Sequence, residues 1–261
     1  LAQAPLDRRT LARVRSLGIR TAFWFVEDYR YLGYFRELAA SYDFFFHIQG
    51  QALEQELVRL GSRHVHYLPL AADPDIFQPI DDTRVLDPYR TDLSFMGAGY
   101  PNRQAMFAEL LDYNLKIWGT EWDLGSRLGQ CVQDQGRRIP TKETALIYNA
   151  SQINLNLHSS VFTTAVDLEG GFINPRTFEV ASCGAFQIVD QRHPLARHFD
   201  LDRELATFTN LGELRQGIDF YLDRPELRKE MAAKARARVL AEHTYRHRME
   251  TLLDLVANAG L

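Results

Sequence analysis

The sequence is short of several features that would have narrowed its function at once. It has only two cysteines, Cys131 and Cys183, far apart and without metal-ligand spacing. A disulfide framework or a zinc site therefore has no support, no metal is expected, and a reducing, cytoplasmic setting is the expectation. No apolar run reaches the length of a spanning helix. The longest, at 21–26 and 44–48, are strand-sized, so a soluble chain with no transmembrane segment is expected. An excess of one charge is missing too: 30 basic against 34 acidic residues give a formal net charge of -4. Such a chain has no overall attraction for nucleic acid or an anionic membrane, so any polyanion it binds must be small and held locally. Internal repeats and low-complexity segments are absent, and so is an initial methionine. The start at Leu1, with a short polar helix running straight into an apolar strand, reads as a trimmed N-terminus.

What is present is enough apolar material, 46% of 261 residues, for a sizeable core in one large or two smaller domains. β-Branched and aromatic residues dominate 21–26, 43–48, 64–68, 92–96, 115–118, 153–157 and 186–190, which predicts strands. Most of these are too uniformly apolar for a sheet with one wet face. With amphipathic helices between them they point to parallel sheets covered on both sides, that is, doubly wound α/β units with ligands at the strand carboxyl ends. Between Pro69 and Pro88, prolines and aspartates interleave without helical period, which marks a linker and places a boundary near residue 85. Toward the end, Leu227, Met231, Ala235 and Val239 line one helical face and Tyr245, Met249, Leu252, Leu253 and Val256 another; both read as packing faces. The basic residues Arg228, Lys229, Lys234, Arg236 and Arg238 have glutamates beside them and read as a solvated face.

Two constellations carry chemistry. The strand ending at Met96 runs into Gly97, Ala98, Gly99, Tyr100, Pro101, Asn102 and Arg103, after which the pattern turns helical. Such a turn is either plain punctuation or a place where backbone N–H groups and a helix N-terminus meet a phosphate, with Arg103 adding full charge. In the second, Asn174 caps a helix opened by Pro175 and ended by Gly184, carrying Arg176, Thr177 and Glu179. Arg176 and Glu179, three apart, share a face. They form either an ordinary ion pair or a pair of ligand contacts, the arginine fork for a phosphate and the carboxylate for a ribose diol.

The run from Asn174 to Asp190 resembles the donor-binding segment of group-1 glycosyltransferases, where a glutamate-bearing helix ends in a small-residue turn. More specifically it resembles the CgeB-type, spore-maturation glycosyltransferase-like family. "YLPLAADPDIFQP" from Tyr67, "DLSFMGAGYPNR" from Asp92, "YNASQINLNLH" from Tyr148 and "HTYRHR" from His243 agree in order and spacing. The resemblance implies a GT-B architecture of two Rossmann-like domains facing each other across a cleft. Residues 1–85 would form a partial, truncated acceptor-side domain and 86–242 the nucleotide-sugar-binding domain. Residues 243–261 would form a helix packing back on the first domain, with "HTY" as a structural joint.

By position Glu179 would hold the ribose, and Arg103 with Arg176 would face the diphosphate, whose leaving-group charge must be stabilised without a metal. Gly97, Gly99, Asn174 and Thr177 belong to the same donor-binding set. Trp118 and Gly119 would offer backbone to the base and His158 would line the donor pocket, beside Ser159 and Ser160. Trp122 is either a stacking or a core residue. No cofactor is implied beyond a nucleotide diphosphate-sugar substrate. In the first half, Asp28 or Glu27, at a strand's carboxyl edge, would serve as base toward an acceptor hydroxyl or stabilise the cationic sugar, or would simply cap a helix, and His47, ending the next strand, is a further candidate or a structural residue.

One departure stands out. Where the group-1 pattern has a glutamate eight positions before Glu179, this sequence has Gly171, and Glu169 is out of register. The expected activity is transfer of a sugar from a nucleotide sugar to a polysaccharide, lipid or protein acceptor. A catalytically degenerate nucleotide-sugar binder and a GT-B-fold epimerase are the alternatives.

Overall fold

A computed structural model describes residues 6–259. The expectation of a trimmed start at Leu1 lies outside the described residues. The chain divides into two compact units. One runs up to Leu70 and takes in Gly171–Ile173 and the chain from Arg246 onward; the other comprises Ala71–Gly170 and Asn174–Tyr245.

The first unit opens with helix α1 (Arg8–Ser16) and contains a three-stranded parallel sheet, β1 (Ala22–Phe25), β2 (Phe44–His47) and β3 (His64–Tyr67), in the order β1-β2-β3. The run Phe44, Phe45, Phe46 is buried throughout because both faces of β2 are covered. Phe45 packs with Phe25, Phe35 and with Leu53 and Leu57 of α2 (Gln51–Arg59). Phe44 and Phe46 pack with Leu68 and Trp24, and against Leu252, Leu255 and Val256 of the final helix. Alternating side chains on opposite faces make a continuous aromatic run compatible with two separate cores.

The second unit is built on strands β4 (Thr91–Met96), β5 (Leu115–Trp118), β6 (Ser151–Asn156), β7 (Gln187–Asp190) and β8 (Ala206–Phe208), all parallel, in the order β5-β4-β6-β7-β8. Its helices are α3 (Pro101–Phe107), α4 (Thr141–Ala150), α5 (Pro175–Ser182), α6 (Leu211–Leu222) and α7 (Pro225–Glu242). The last helix of the chain, α8 (Tyr245–Asn258), is the one that packs in the first unit. On one face Leu93, Phe95, Ile117, Ile153, Leu155 and Ile188 pack with Met106 and Phe107 of α3, Leu214 and Ile218 of α6, and Met231 of α7. On the other, α4 and α5 contribute Tyr148, Val180 and Cys183, which close over Phe77. Several sheet residues on that side are amides and hydroxyls: Ser94 bonds Asn154 and Asn156 bonds Gln187. Chain direction across the sheet reverses between β4 and β6, the neighbours that no crossover joins directly. That switch point is where an open α/β sheet leaves a crevice beyond its strand ends.

Three expectations change. The division falls at Leu70 rather than near residue 85. The reason is that the proline-rich segment is packed into the second unit: Ala72 pairs with Thr244, Phe77 is buried beside Tyr148, and Ile80 N–H donates to Asn149. β8 was not expected, since three residues give no readable alternation. Arg228 is not on a solvated face; it is 8% exposed and donates to the Tyr221 and Leu222 carbonyls and to Gln152.

Candidate functional site

The site residues of the second unit gather at the carboxyl ends of β4 and β6. Gly97 leaves β4 with φ of +153°, where only glycine is at ease, and Gly119 leaves β5 with φ of +120°. The two loops touch backbone to backbone: a Cβ on Gly119 would lie 2.4 Å from the Gly97 carbonyl oxygen, and one on Gly99 would lie 2.3 Å from that of Glu121. Gly97 N–H donates to the Trp118 carbonyl at 2.8 Å and Gly99 N–H to that of Thr120 at 2.9 Å, while Trp122 Nε1 donates to the Gly97 carbonyl at 2.9 Å. This corrects the expectation for the glycine turn. Its Gly97 and Gly99 N–H groups are spent on the neighbouring loop, so the glycines provide close approach and not anion contacts.

The group that lies over Gly97 is Arg176, whose Nη2 sits 2.6 Å from where a Gly97 Cβ would be. Arg176 comes from the second position of α5, whose start is fixed by its cap: Asn174 Oδ1 accepts from Thr177 N–H at 3.1 Å, and Pro175 follows. Its guanidinium carbon stands 4.9 Å from the Phe95 ring centre, Nη1 donates to Asn156 Oδ1 at 3.2 Å, and Nε is buried without a hydrogen-bond partner. Arg103 approaches the same ring at 5.0 Å. It is 5% exposed, with Nε on the Leu157 carbonyl and Nη1 on that of Ala98, both at 2.9 Å. Burial, and next the charge of Arg176, push its pKa well below the ordinary guanidinium value. Both guanidinium groups thus stand over the Phe95 ring, where their like charges repel. The Leu157 and Ala98 carbonyls take Nε and Nη1 of Arg103, so its guanidinium braces the two strand ends and is not presented freely as the sequence suggested.

Glu179, one turn further along α5, makes no salt bridge with Arg176. It is half-buried and accepts one long hydrogen bond, 3.4 Å from the Tyr148 hydroxyl. Burial pushes its pKa up to about 7, against the pull of Arg176. A carboxylate so poorly partnered is able to accept two hydroxyl hydrogens from a diol.

The remaining donor-side positions are supports. His158 is fully buried; Nδ1 meets Asp190 Oδ1 at 2.6 Å and Nε2 accepts the Asn174 N–H at 2.9 Å. That pattern requires the neutral ring protonated on Nδ1, in line with a pKa pulled down to about 4, by burial first. His158 therefore holds the start of α5 instead of lining a pocket. Arg192 Nε closes the group on Asp190 Oδ2 at 2.8 Å, and burial would raise the Asp190 pKa but these partners lower it. Thr177, 0% exposed, joins Asn174 and Asn156, and Trp118 and Trp122 are core residues. Sequence reading missed Asn102, buried in the first turn of α3, which donates to the His158 carbonyl and accepts the Ser160 N–H. Its only signal was its place one residue before Arg103.

In the first unit, Asp28 pairs with Arg30 at 2.7 Å and accepts its N–H, while no hydrogen bond to the Glu27 carboxylate is found among the described residues. His47 is fully buried with neither ring nitrogen hydrogen-bonded and a pKa pulled down to about 4 by burial. Gly171 has its backbone against the start of α2: a Cβ would lie 3.2 Å from the Gly50 nitrogen. That approach is tight, and a side chain there would need the Gly50 backbone to give by a few tenths of an ångström. Among the described residues no group of three or more histidine, cysteine, aspartate or glutamate side chains is placed to hold a metal ion, and no helix is long and apolar enough to cross a membrane.

Two parallel α/β units of this kind are the GT-B fold of glycosyltransferases, which solved structures share. Sucrose-phosphate synthase from Thermosynechococcus elongatus superposes with a TM-score of 0.68 at 14% identity, over 96% of this chain and 70% of that one. Anabaena HepE in complex with UDP and glucose does so at 0.71 and 8% identity, over 96% and 76%. Residues 103–254 match the glycosyl transferase-like family, and the chain belongs to it. It is also 26% identical to spore protein CgeB of Bacillus subtilis strain 168 over 236 residues, 85% of this chain and 71% of that protein.

Proposed function

We propose that the chain transfers a sugar from a nucleotide diphosphate-sugar to an acceptor carrying a free hydroxyl. The observation that carries this reading is Arg176: a guanidinium laid over Gly97 at the sheet's switch point, its Nε buried without a partner and its charge opposed by a second arginine. A diphosphate seated there satisfies the nitrogen and offsets both charges, and as a leaving group it gains negative charge where the cations already stand. Glu179, on the same helix face, takes the ribose diol. That HepE was solved with UDP-glucose supports a nucleotide-sugar ligand in this fold. Glu27, the carboxylate that Arg30 does not occupy, is the acceptor-side base in preference to Asp28. Both cysteines are free, which suits a cytoplasmic location.

The test is incubation with UDP-glucose and other nucleotide sugars plus candidate glycan, lipid and protein acceptors, following nucleoside diphosphate release. Acceptor-dependent release that Arg176→Ala abolishes supports transfer. Tight nucleotide binding with no release under any acceptor supports a second reading, a binder without turnover. Gly171 favours that second reading, because the donor-sugar contact of the group-1 pattern has no side chain here.

A further inference from the structure

The face of the sheet beneath α5 carries amides where a core ordinarily has aliphatic groups, and one of them touches the site. Asn156 is 0% exposed. Its Oδ1 accepts from Asn174 Nδ2 at 2.8 Å and from Arg176 Nη1 at 3.2 Å; its Nδ2 donates to Thr177 Oγ1 and Gln187 Oε1, both at 3.0 Å. All four of its hydrogen-bonding positions are used, and the amide has one sensible orientation, since the flipped one sets NH2 against two donors. Gln187 in turn donates to the Thr177 carbonyl at 2.8 Å, so the amide cannot tilt without breaking several buried bonds.

The acceptor that Arg176 Nη1 meets is uncharged. A carboxylate at that place would orient the guanidinium equally well but would cancel its charge; an apolar residue would leave the charge but not the aim. We propose that Asn156 is the positioning residue for the donor's diphosphate: it points the Arg176 fork over Gly97 while leaving its positive charge unspent. The inference rests on the reading of Arg176 given under the proposed function.

The experiment is titration calorimetry of UDP and of uridine against the full chain, comparing wild type, Arg176→Ala, Asn156→Asp and Asn156→Ala. The readout is the ratio of the two dissociation constants, which general loosening of the fold would leave unchanged. Wild type is expected to prefer UDP, and Arg176→Ala to lose at least tenfold of that preference. Asn156→Asp, the same shape with a charge that neutralises Arg176, is expected to lose about as much, and Asn156→Ala a smaller share. An Asn156→Asp protein that keeps the wild-type preference while Arg176→Ala loses it overturns the positioning role alone. If Asn156→Asp does not fold, the Asn156→Ala ratio decides, and an unchanged ratio overturns the proposal. Should Arg176→Ala retain the preference, the reading of the site falls and the inference with it.

Discussion

Glu179 shows how much one half-buried carboxylate settles. It accepts one long hydrogen bond from the Tyr148 hydroxyl of α4, and burial pushes its pKa up to about 7. Only the ionised form accepts both hydrogens of a diol. Donor binding should therefore strengthen as pH rises through about 7 and fall about tenfold for each unit below it. Replacing Glu179 with alanine should cost roughly 1–3 kcal/mol of nucleotide affinity and remove the pH step. Calorimetry with UDP between pH 6 and 8 checks both; a step that persists in the variant assigns it to another group. Arg103 teaches the converse. Its charge and its place after a glycine turn read as a ligand, but the carbonyls of Leu157 and Ala98 claim it. No local pattern reveals burial of that kind.

Among the elements, α5 was legible because helix ends have a local chemistry. Asn174, Pro175 and Gly184 predict its start and stop, and the structure shows the Asn174 cap and a Gly184 φ of +65°. What could not be read is why the cap is buried: Asn174 also donates to Asn156 Oδ1 through Nδ2 and to His158 Nε2 through its own N–H. Those partners come from the end of β6 and the residues just after it, which only the fold brings near. Asn174→Ala should therefore cost more than the ~1 kcal/mol of an ordinary cap, about 2–3 kcal/mol, because buried partners are left unpaired. Urea denaturation measures it; a loss of only about 1 kcal/mol would make the lattice beneath the helix incidental. The strands were read nearly to their ends because β-branched and aromatic runs leave little ambiguity. β8 escaped because Ala206–Phe208 is too short for a pattern.

For the molecule as a whole, the buried histidines contribute to the pH dependence of folding. The His158 pKa falls from about 6.5 in the unfolded chain to about 4 in the folded one, chiefly through burial. A depressed pKa contributes stability that is complete above the unfolded value and is lost as pH falls from 6.5 to 4. His47 acts in the same direction and Glu179, with its raised pKa, in the opposite one. The His158 part, on the order of 2–3 kcal/mol, is isolated by comparing denaturation of wild type and His158→Gln at pH 7 and pH 5. The variant should start less stable and change less with pH, and parallel changes would show that His158 does not carry the effect. Composition and strand pattern were enough to read two parallel α/β units, but not the division at Leu70, because a proline-rich stretch looks like a linker whether or not Phe77 is buried in it.

All of these scales meet in the claim that Arg176 and Glu179 grip a pyrophosphate-linked nucleoside at the switch point between β4 and β6. Diffraction from crystals soaked with a panel of nucleoside diphosphates tests it most directly. The expected density places the diphosphate over Gly97 against Arg176 and the ribose diol on Glu179; a nucleotide bound elsewhere, or one that leaves both side chains untouched, contradicts it.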